Sequence, residues 1–420
     1  MAESADPQVR AFHQLIENGD LEQLRAALAG DAAVNAPGHC GATALMVAIA
    51  AQDLEKVRLL LEAGADPELT DDFNRTALHE AVQHDFAGAV RLLLNLGVDR
   101  GYAPKYPLKQ VLLDFPWKPA PLPDEMKGCF TEEEWLESQR ATQESIRDLG
   151  LHPAVEPVIK DASSLAVLHL LLEAGDDLNL ASEEMKRALV GLDTNETIEC
   201  SEQDYRQHKT RRFGRRNPER MDNPFWRGMI RSGGSGYTAR SQFGDTESLD
   251  EPVWCFDRFG SSLTPLPDGR FVQIAGEHED YYDPDFCIYN DVVVHDGRGD
   301  FEIYGYPAEV FPPTDFHTAT LVGDWIYIVG SLGYADQRRV GHTPVYRLRL
   351  DTWEIESVTT TGEAPGWIFK HTTTWLPESE TLLVTGGEVH VINSHGEADV
   401  AANTQTFALN LRTLTWRKQA

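Results

Sequence analysis

Along the first hundred residues, apolar positions come in short helical runs, and the runs repeat. Thr43-Ala44-Leu45 is matched by Thr76-Ala77-Leu78, and Leu59-Leu60-Leu61-Glu62-Ala63-Gly64 by Leu92-Leu93-Leu94-Asn95-Leu96-Gly97, both at an offset of 33. Each unit predicts a turn, a short helix opened by threonine, a second turn, and a helix stopped by glycine. One helix pair cannot bury its own apolar face, so a fixed period of this size predicts stacked units. Ala44, Ala48, Ala77 and Ala81 are small enough for close helix approach. Gly64 and Gly97 fall where a left-handed residue past a helix end is wanted. A fainter copy precedes these units: Asp20-Leu21-Glu22 lies 33 before Asp53-Leu54-Glu55. It predicts a first, capping unit over residues 8–37, followed by units at 38–70 and 71–100.

The period fails from Gly101. Pro104, Pro107, Pro116, Pro119, Pro121 and Pro123 exclude regular helix and strand there and predict an extended insertion. Leu170-Leu171-Leu172-Glu173-Ala174-Gly175 then repeats Leu59 to Gly64 almost letter for letter, which predicts a degenerate fourth unit at 131–182. Its helix start is expected at Thr131, with Glu132, Glu133 and Glu134 on the positive helix end. Residues 183–222 look like a polar connector. They carry one dense basic cluster, Lys209-Thr210-Arg211-Arg212-Phe213-Gly214-Arg215-Arg216, expected to strap onto the chain's own acidic surface.

After residue 223 the pattern changes to short β-rich runs broken by Gly, Pro and Asp, the mark of an all-β region. Arg270 to Glu277, Trp325 to Ser331 and Thr381 to Glu388 resemble one another, with Gly276, Gly330 and Gly386 spaced by 54 and 56. Upstream, Phe316-His317-Thr318 matches Lys370-His371-Thr372. Downstream, Tyr346 to Trp353 matches Phe407 to Trp416. Three units fit, at about 259–304, 315–357 and 368–418. A fourth is expected at 224–258, with Phe225 to Ile230 and Val253 to Phe256 as strands and Ser232 to Gly236 as a turn.

The first array resembles the ankyrin repeat: Thr76-Ala77-Leu78-His79-Glu80-Ala81 departs from that family's T-P-L-H-x-A only at the proline. The second resembles the kelch repeat, in which each unit is a four-stranded propeller blade. Only Gly386-Gly387 keeps the paired glycines of that family. The expected fold is therefore multidomain, an all-α ankyrin solenoid followed by an all-β kelch-like propeller or partial propeller of about four blades. The expected boundaries are 1–100 for the repeats, 101–182 for insertion and fourth repeat, 183–222 for the linker and 223–420 for the β domain.

Composition narrows the function. With a formal charge of −30 and pI near 4.8, the chain opposes binding to phosphate backbones and suits a basic protein partner. Cys40, Cys129, Cys200, Cys255 and Cys287 are scattered without a C-x-x-C pair, as expected for reduced thiols in a cytoplasmic protein and against a structural zinc. The polar N-terminus does not read as a signal peptide, and no apolar run is long enough to span a membrane. No nucleophile elbow, Walker loop or H-E-x-x-H is present. No cofactor or metal is expected. The loop 277–285 has oxygens suited to a hard cation, but its acids and tyrosines suit protein contact better. His317 and His371, at equivalent repeat positions, read as packing residues.

These observations imply a non-catalytic protein-binding unit. The sharper expectation is an acidic inhibitor or immunity protein that neutralises a basic partner. The alternatives are a general adaptor, or a β domain that binds a small molecule or metal. The ankyrin resemblance implies contacts at hairpin tips and the inner helix face: His39, Asp72, Phe73, Arg75, Gln83 and His84. It also implies a structural His79, hydrogen-bonded to a threonine or backbone. The kelch resemblance implies contacts in the loops after the glycines: His278, Asp280, Tyr281, Tyr282, Tyr334, Arg338 and His395.

Overall fold

A computed structural model describes residues 6–30, 32–102, 131, 135–136, 156–192, 197–246, 251–278, 286–393 and 395–419. The chain divides into two compact units, residues 1–185 and 186–420.

The first unit is built from helix pairs: α1 (Pro7–Asn18) with α2 (Leu21–Leu28), α3 (Ala44–Ala50) with α4 (Leu54–Glu62), and α5 (Ala77–Gln83) with α6 (Ala87–Leu96). The threonines open the inner helices as side-chain caps. Thr43 Oγ1 accepts from Met46 N at 3.3 Å and Thr76 Oγ1 from His79 N at 3.4 Å. Such a cap contributes about 1 kcal/mol by satisfying an otherwise orphaned N–H. Ala44, Ala48, Ala77 and Ala81 are buried between helices, beside Leu45, Ile49, Leu78 and Val82. The 33-residue period extends into the backbone. Gly41 and Asn74 share the left-handed region at φ 77° and 62°, and Gln52 and Asp85 at 54° and 51°. Successive hairpins are tied where Asp72 N donates to Cys40 O at 3.0 Å. Asn35 bridges similarly, donating to Gly64 O and accepting from Asp66 N.

Beyond α6 the repeat survives only in part. A 3-10 turn at Val158–Asp161 packs on α5, where another inner helix would stand, and α7 (Leu165–Glu173) packs on α6. A two-residue pairing of β1 (Gly101–Tyr102) with β2 (Glu156–Pro157) joins the two sides. The proline-rich residues 103–130 and the acids 132–134 lie outside the described residues. The His79 ring has different company from that expected. Its Nε2 lies 3.2 Å from Asp161 Oδ2, and the ring packs on Tyr102 at 4.2 Å. Only its backbone N–H reaches Thr76, because the inner-helix histidine points toward the shortened fourth unit.

The second unit begins with helices, not strands. After α8 (Glu202–His208) come α9 (Pro224–Ser232) and α10 (Gly236–Gln242). The expected fourth strand unit at 224–258 is thus overturned: its first half is helical, and Val253 to Phe256 forms no strand, only one isolated bridge from Val253 to Thr210. Phe225, Trp226, Met229 and Ile230 recur at helical spacing, Pro224 occupies the first turn, and Asn223 caps it by accepting from Trp226 N at 2.8 Å. The glycine-rich stretch is a helix–helix junction: Gly233 ends α9 at φ 67° and Ser235 caps α10. Trp226 stacks on Trp254 at 4.4 Å.

Three antiparallel meanders follow. The first contains β4 (Ser262–Pro265), β5 (Phe271–Ile274), β8 (Val292–His295) and β9 (Phe301–Gly305), with β3 (Glu219–Arg220) added on β9. The second is β10 (Thr318–Val322), β11 (Trp325–Val329), β12 (Val345–Arg349) and β13 (Ile355–Ser357). The third is β16 (Thr372–Leu376), β17 (Thr381–Thr385), β20 (Phe407–Asn410) and β21 (Thr415–Lys418), with β14 (Thr361–Gly362) running parallel to β21. Smaller pairings are β6 (Glu277–His278) with β7 (Cys287–Ile288), and β15 (Trp367–Phe369) with β18 (Glu388–Ile392) and β19 (Ala398–Ala402).

Two apolar cores lie between these sheets. One joins Val272, Ile274 and Val292 of the first sheet to Ile326, Ile328 and Leu348 of the second. The other joins Tyr327, Val329 and Val345 of the second to Leu382, Val384 and Leu409 of the third. Each such side chain contributes roughly 1.5–3 kcal/mol on burial. Among the described residues no pairing closes the sheets into a ring.

Candidate functional site

On the first unit, five of the six expected contact residues gather at the third repeat. The tight turn before α5 places Asp71 inward, 6% exposed, where its carboxylate accepts from Phe73 N and Arg75 N, both at 2.8 Å. That carboxylate also anchors the Arg75 guanidinium, at 2.8 Å from Nε and 2.7 Å from Nη2. Arg75 then donates to Gln83 Oε1 at 3.0 Å and lies 3.7 Å from Glu80. Glu80 in turn meets His84 Nε2 at 3.1 Å. Phe73, half in solvent, is covered by the guanidinium at 5.2 Å, and Asp72 is exposed beside it. His39 stands one hairpin away, exposed in a 3-10 turn. The network holds polar groups in fixed directions along one rim, which lowers the entropy lost on binding.

Next to this rim is a cavity of about 310 Å³. Met46, Val47, Ala42, Ala50 and Ala51 supply its apolar surface, and Glu17, Asp71, Glu80 and Arg75 its charges. Sequence reasoning singled out Arg75 but missed Glu17, Asp71 and Glu80. Two of these sit 63 and 54 residues from Glu17 in the chain, and only stacking of the repeats brings them together.

On the second unit the expected residues are mostly structural. His278 was expected in a surface loop; it is 6% exposed, on β6, with Nδ1 2.9 Å from Cys255 Sγ. Tyr334 uses its hydroxyl internally, accepting from Ile288 N at 2.9 Å and Arg211 Nη1 at 3.1 Å. Arg338 braces its own loop by donating to the Leu332 and Gly333 carbonyls. His395 is exposed in a turn held by Asn393. Asp280, Tyr281 and Tyr282 lie outside the described residues. The reason for the inward placement is general: a residue after a glycine at a strand end can turn back into the sheet interface as easily as outward.

The densest chemistry in this unit is buried. Cys255, His278 and Tyr289 meet, while Arg258 pairs with Asp291 and lies 3.5 Å over the Tyr289 ring. Trp254 Nε1 donates to Asp291 at 2.9 Å. Burial pushes the Cys255 thiol up to about 12. Burial thus favours its neutral form at pH 7. Burial also raises Asp315, against hydrogen bonds that its carboxyl accepts from Gly333 N at 2.6 Å and Ser331 Oγ at 3.2 Å. Among the described residues no group of three or more His, Cys, Asp or Glu is arranged to hold a metal.

The basic cluster behaves as a strap. Lys209 pairs with Asp245 at 2.7 Å and Arg212 with Glu219 at 3.0 Å. Arg211 donates to the Ile288 carbonyl. Gly214 N donates to Tyr306 O at 3.1 Å, so closely laid on the first sheet that a Cβ at Gly214 would meet Gly305 O at 2.4 Å.

His317 and His371 play matching packing roles. His317 Nε2 meets Ser262 Oγ at 2.8 Å, from the second sheet to the first, and His371 Nε2 meets Thr318 Oγ1 at 3.1 Å, from the third to the second. Burial lowers them to about 3 and about 4.

A family model for ankyrin repeats, in three copies, matches residues 12–101. No curated protein matches the chain. No helix among the described residues is long and apolar enough to cross a membrane.

Proposed function

We propose that this chain is a non-catalytic binding protein that captures a basic segment of another protein on the inner face of its ankyrin repeats. Ankyrin repeats are protein-binding modules, and the carrying observation is the preorganised rim of Asp71, Arg75, Glu80, Gln83 and His84 beside a carboxylate-lined cavity. The formal charge of −30 favours encounter with a basic partner. An inhibitor role, in which an acidic surface masks a basic effector, fits these features and the neutral Cys255 thiol. The β unit, three consecutive meanders each bridged to the next by histidine, we read as a kelch-like partial propeller that adds a second recognition surface.

The test is affinity capture by the full-length chain, then salt titration of the complex with the captured partner. A basic partner is expected. Its affinity falls as sodium chloride rises, and it escapes a Gln83→Ala/His84→Ala variant. An acidic partner, or binding indifferent both to salt and to that variant, sinks the reading.

A further inference from the structure

We infer that the inner-face cavity is a socket for one lysine side chain of the partner. This rests on the reading that the inner face of the first unit binds protein, and goes further by naming the group that enters.

The cavity has the two parts such a side chain needs. Its wall of Met46, Val47, Ala50 and Ala51 is aliphatic and takes the stem. Its rim carries three carboxylates and one guanidinium, a net charge of −2. Arg75 is committed to Asp71 through two nitrogens at 2.7 and 2.8 Å, so that pair is internally neutralised. Glu80 is 3.7 Å from the guanidinium and otherwise meets the imidazole of His84. Glu17, on α1, is exposed, and the charge it meets is the weak one of the buried His13 on the same helix, whose imidazole burial keeps mostly neutral. The unbalanced charge therefore lies at Glu17 on α1 and Glu80 on α5, both lining the cavity. At about 310 Å³ the cavity is large enough to admit a single long side chain.

Lysine fits better than arginine for a physical reason. Arginine gains most from a carboxylate free to take both its nitrogens, whereas Asp71 is held by Arg75 and Glu80 already meets Arg75 and His84. Glu17 and Glu80 approach from separate helices, which suits a compact ammonium with three donors.

The probe is n-butylammonium, the lysine side chain alone, with n-butanol as its uncharged counterpart. The full-length chain carries labelled methionine methyls; Met46, which lines the cavity, is one of six methionines and is assigned through M46L. The Met46 signal is expected to shift and saturate with n-butylammonium and to stay still with n-butanol. Glu17→Gln is expected to weaken binding about fivefold, the effect of one exposed ion pair. Ala50→Leu, an exposed position that fills the cavity, is expected to abolish the shift. A Met46 response equal for both probes, or one untouched by E17Q and A50L, overturns the socket. If the socket fails while capture still depends on Gln83 and His84, protein binding by the inner face stands. If capture ignores those residues, the broader reading has failed.

Discussion

Lowering the pH from 7 to 5 should destabilise the β unit through three buried histidines. His295, His317 and His371 are 1, 7 and 6% exposed. Desolvation holds their folded values at about 3, about 3 and about 4. Arg187 further opposes protonation of His295, and His371 that of His317. An unfolded histidine titrates near 6.5. Below that value the unfolded chain binds protons that the folded chain refuses, so stability is full above pH 6.5 and is lost as pH falls toward the folded values. At pH 5 each ring costs about 2 kcal/mol, and the three together about 6 kcal/mol. That is on the scale of a whole domain's stability, commonly about 5–15 kcal/mol. Asp315, whose carboxyl is raised by burial, acts in the opposite direction, so the histidine share must be isolated by mutation. The assay is urea unfolding at pH 7.5, 6, 5.5 and 5, followed by tryptophan fluorescence. Seven of the nine tryptophans lie in residues 186–420, so the signal reports this unit. H317Q/H371Q should be less stable than the parent at pH 7.5, because two inter-sheet contacts weaken, yet lose about 4 kcal/mol less on going to pH 5. Parallel pH profiles for the parent and the double variant, or a parent more stable at pH 5 than at 7, would refute the reasoning.

Leu348→Ala, at the core between the first two sheets where Leu348 is fully buried, should cost about 2–5 kcal/mol in urea unfolding. Gly214→Ala should lift the basic strap, since its Cβ meets Gly305 backbone at 2.4 Å; trypsin should then cut at the exposed Arg215 and Arg216 faster than in the parent while the sheets keep their circular dichroism. Arg75→Ala leaves the buried Asp71 carboxylate without its cation and should destabilise the first unit by about 1–3 kcal/mol, with a loss of partner capture. Thr76→Ala should cost about 1 kcal/mol through the lost cap of α5, read from thermal unfolding.

The repeat array of the first unit could be read along the chain because its information is local. A threonine cap, alanines at contact positions and a left-handed glycine act within one turn of where they stand, and the 33-residue offset recurs even in the backbone angles of Asn74 and Asp85. The strands of the three meanders were legible for the same reason, through alternation and glycine punctuation. The helices over 224–242 were also written there, in Asn223-Pro224 and the spacing of Phe225, Trp226, Met229 and Ile230; an expected continuation of the β array obscured them. What no local pattern carries is which distant side chains meet. Glu17 reaches the same cavity as Asp71 and Glu80 only because repeats stack. His278 faces Cys255 rather than solvent because a sheet end folds back on the preceding chain. Burial and charge pairing are set by neighbours far away in sequence, so the elements follow from the residues themselves, while the site and its electrostatics are decided by tertiary packing.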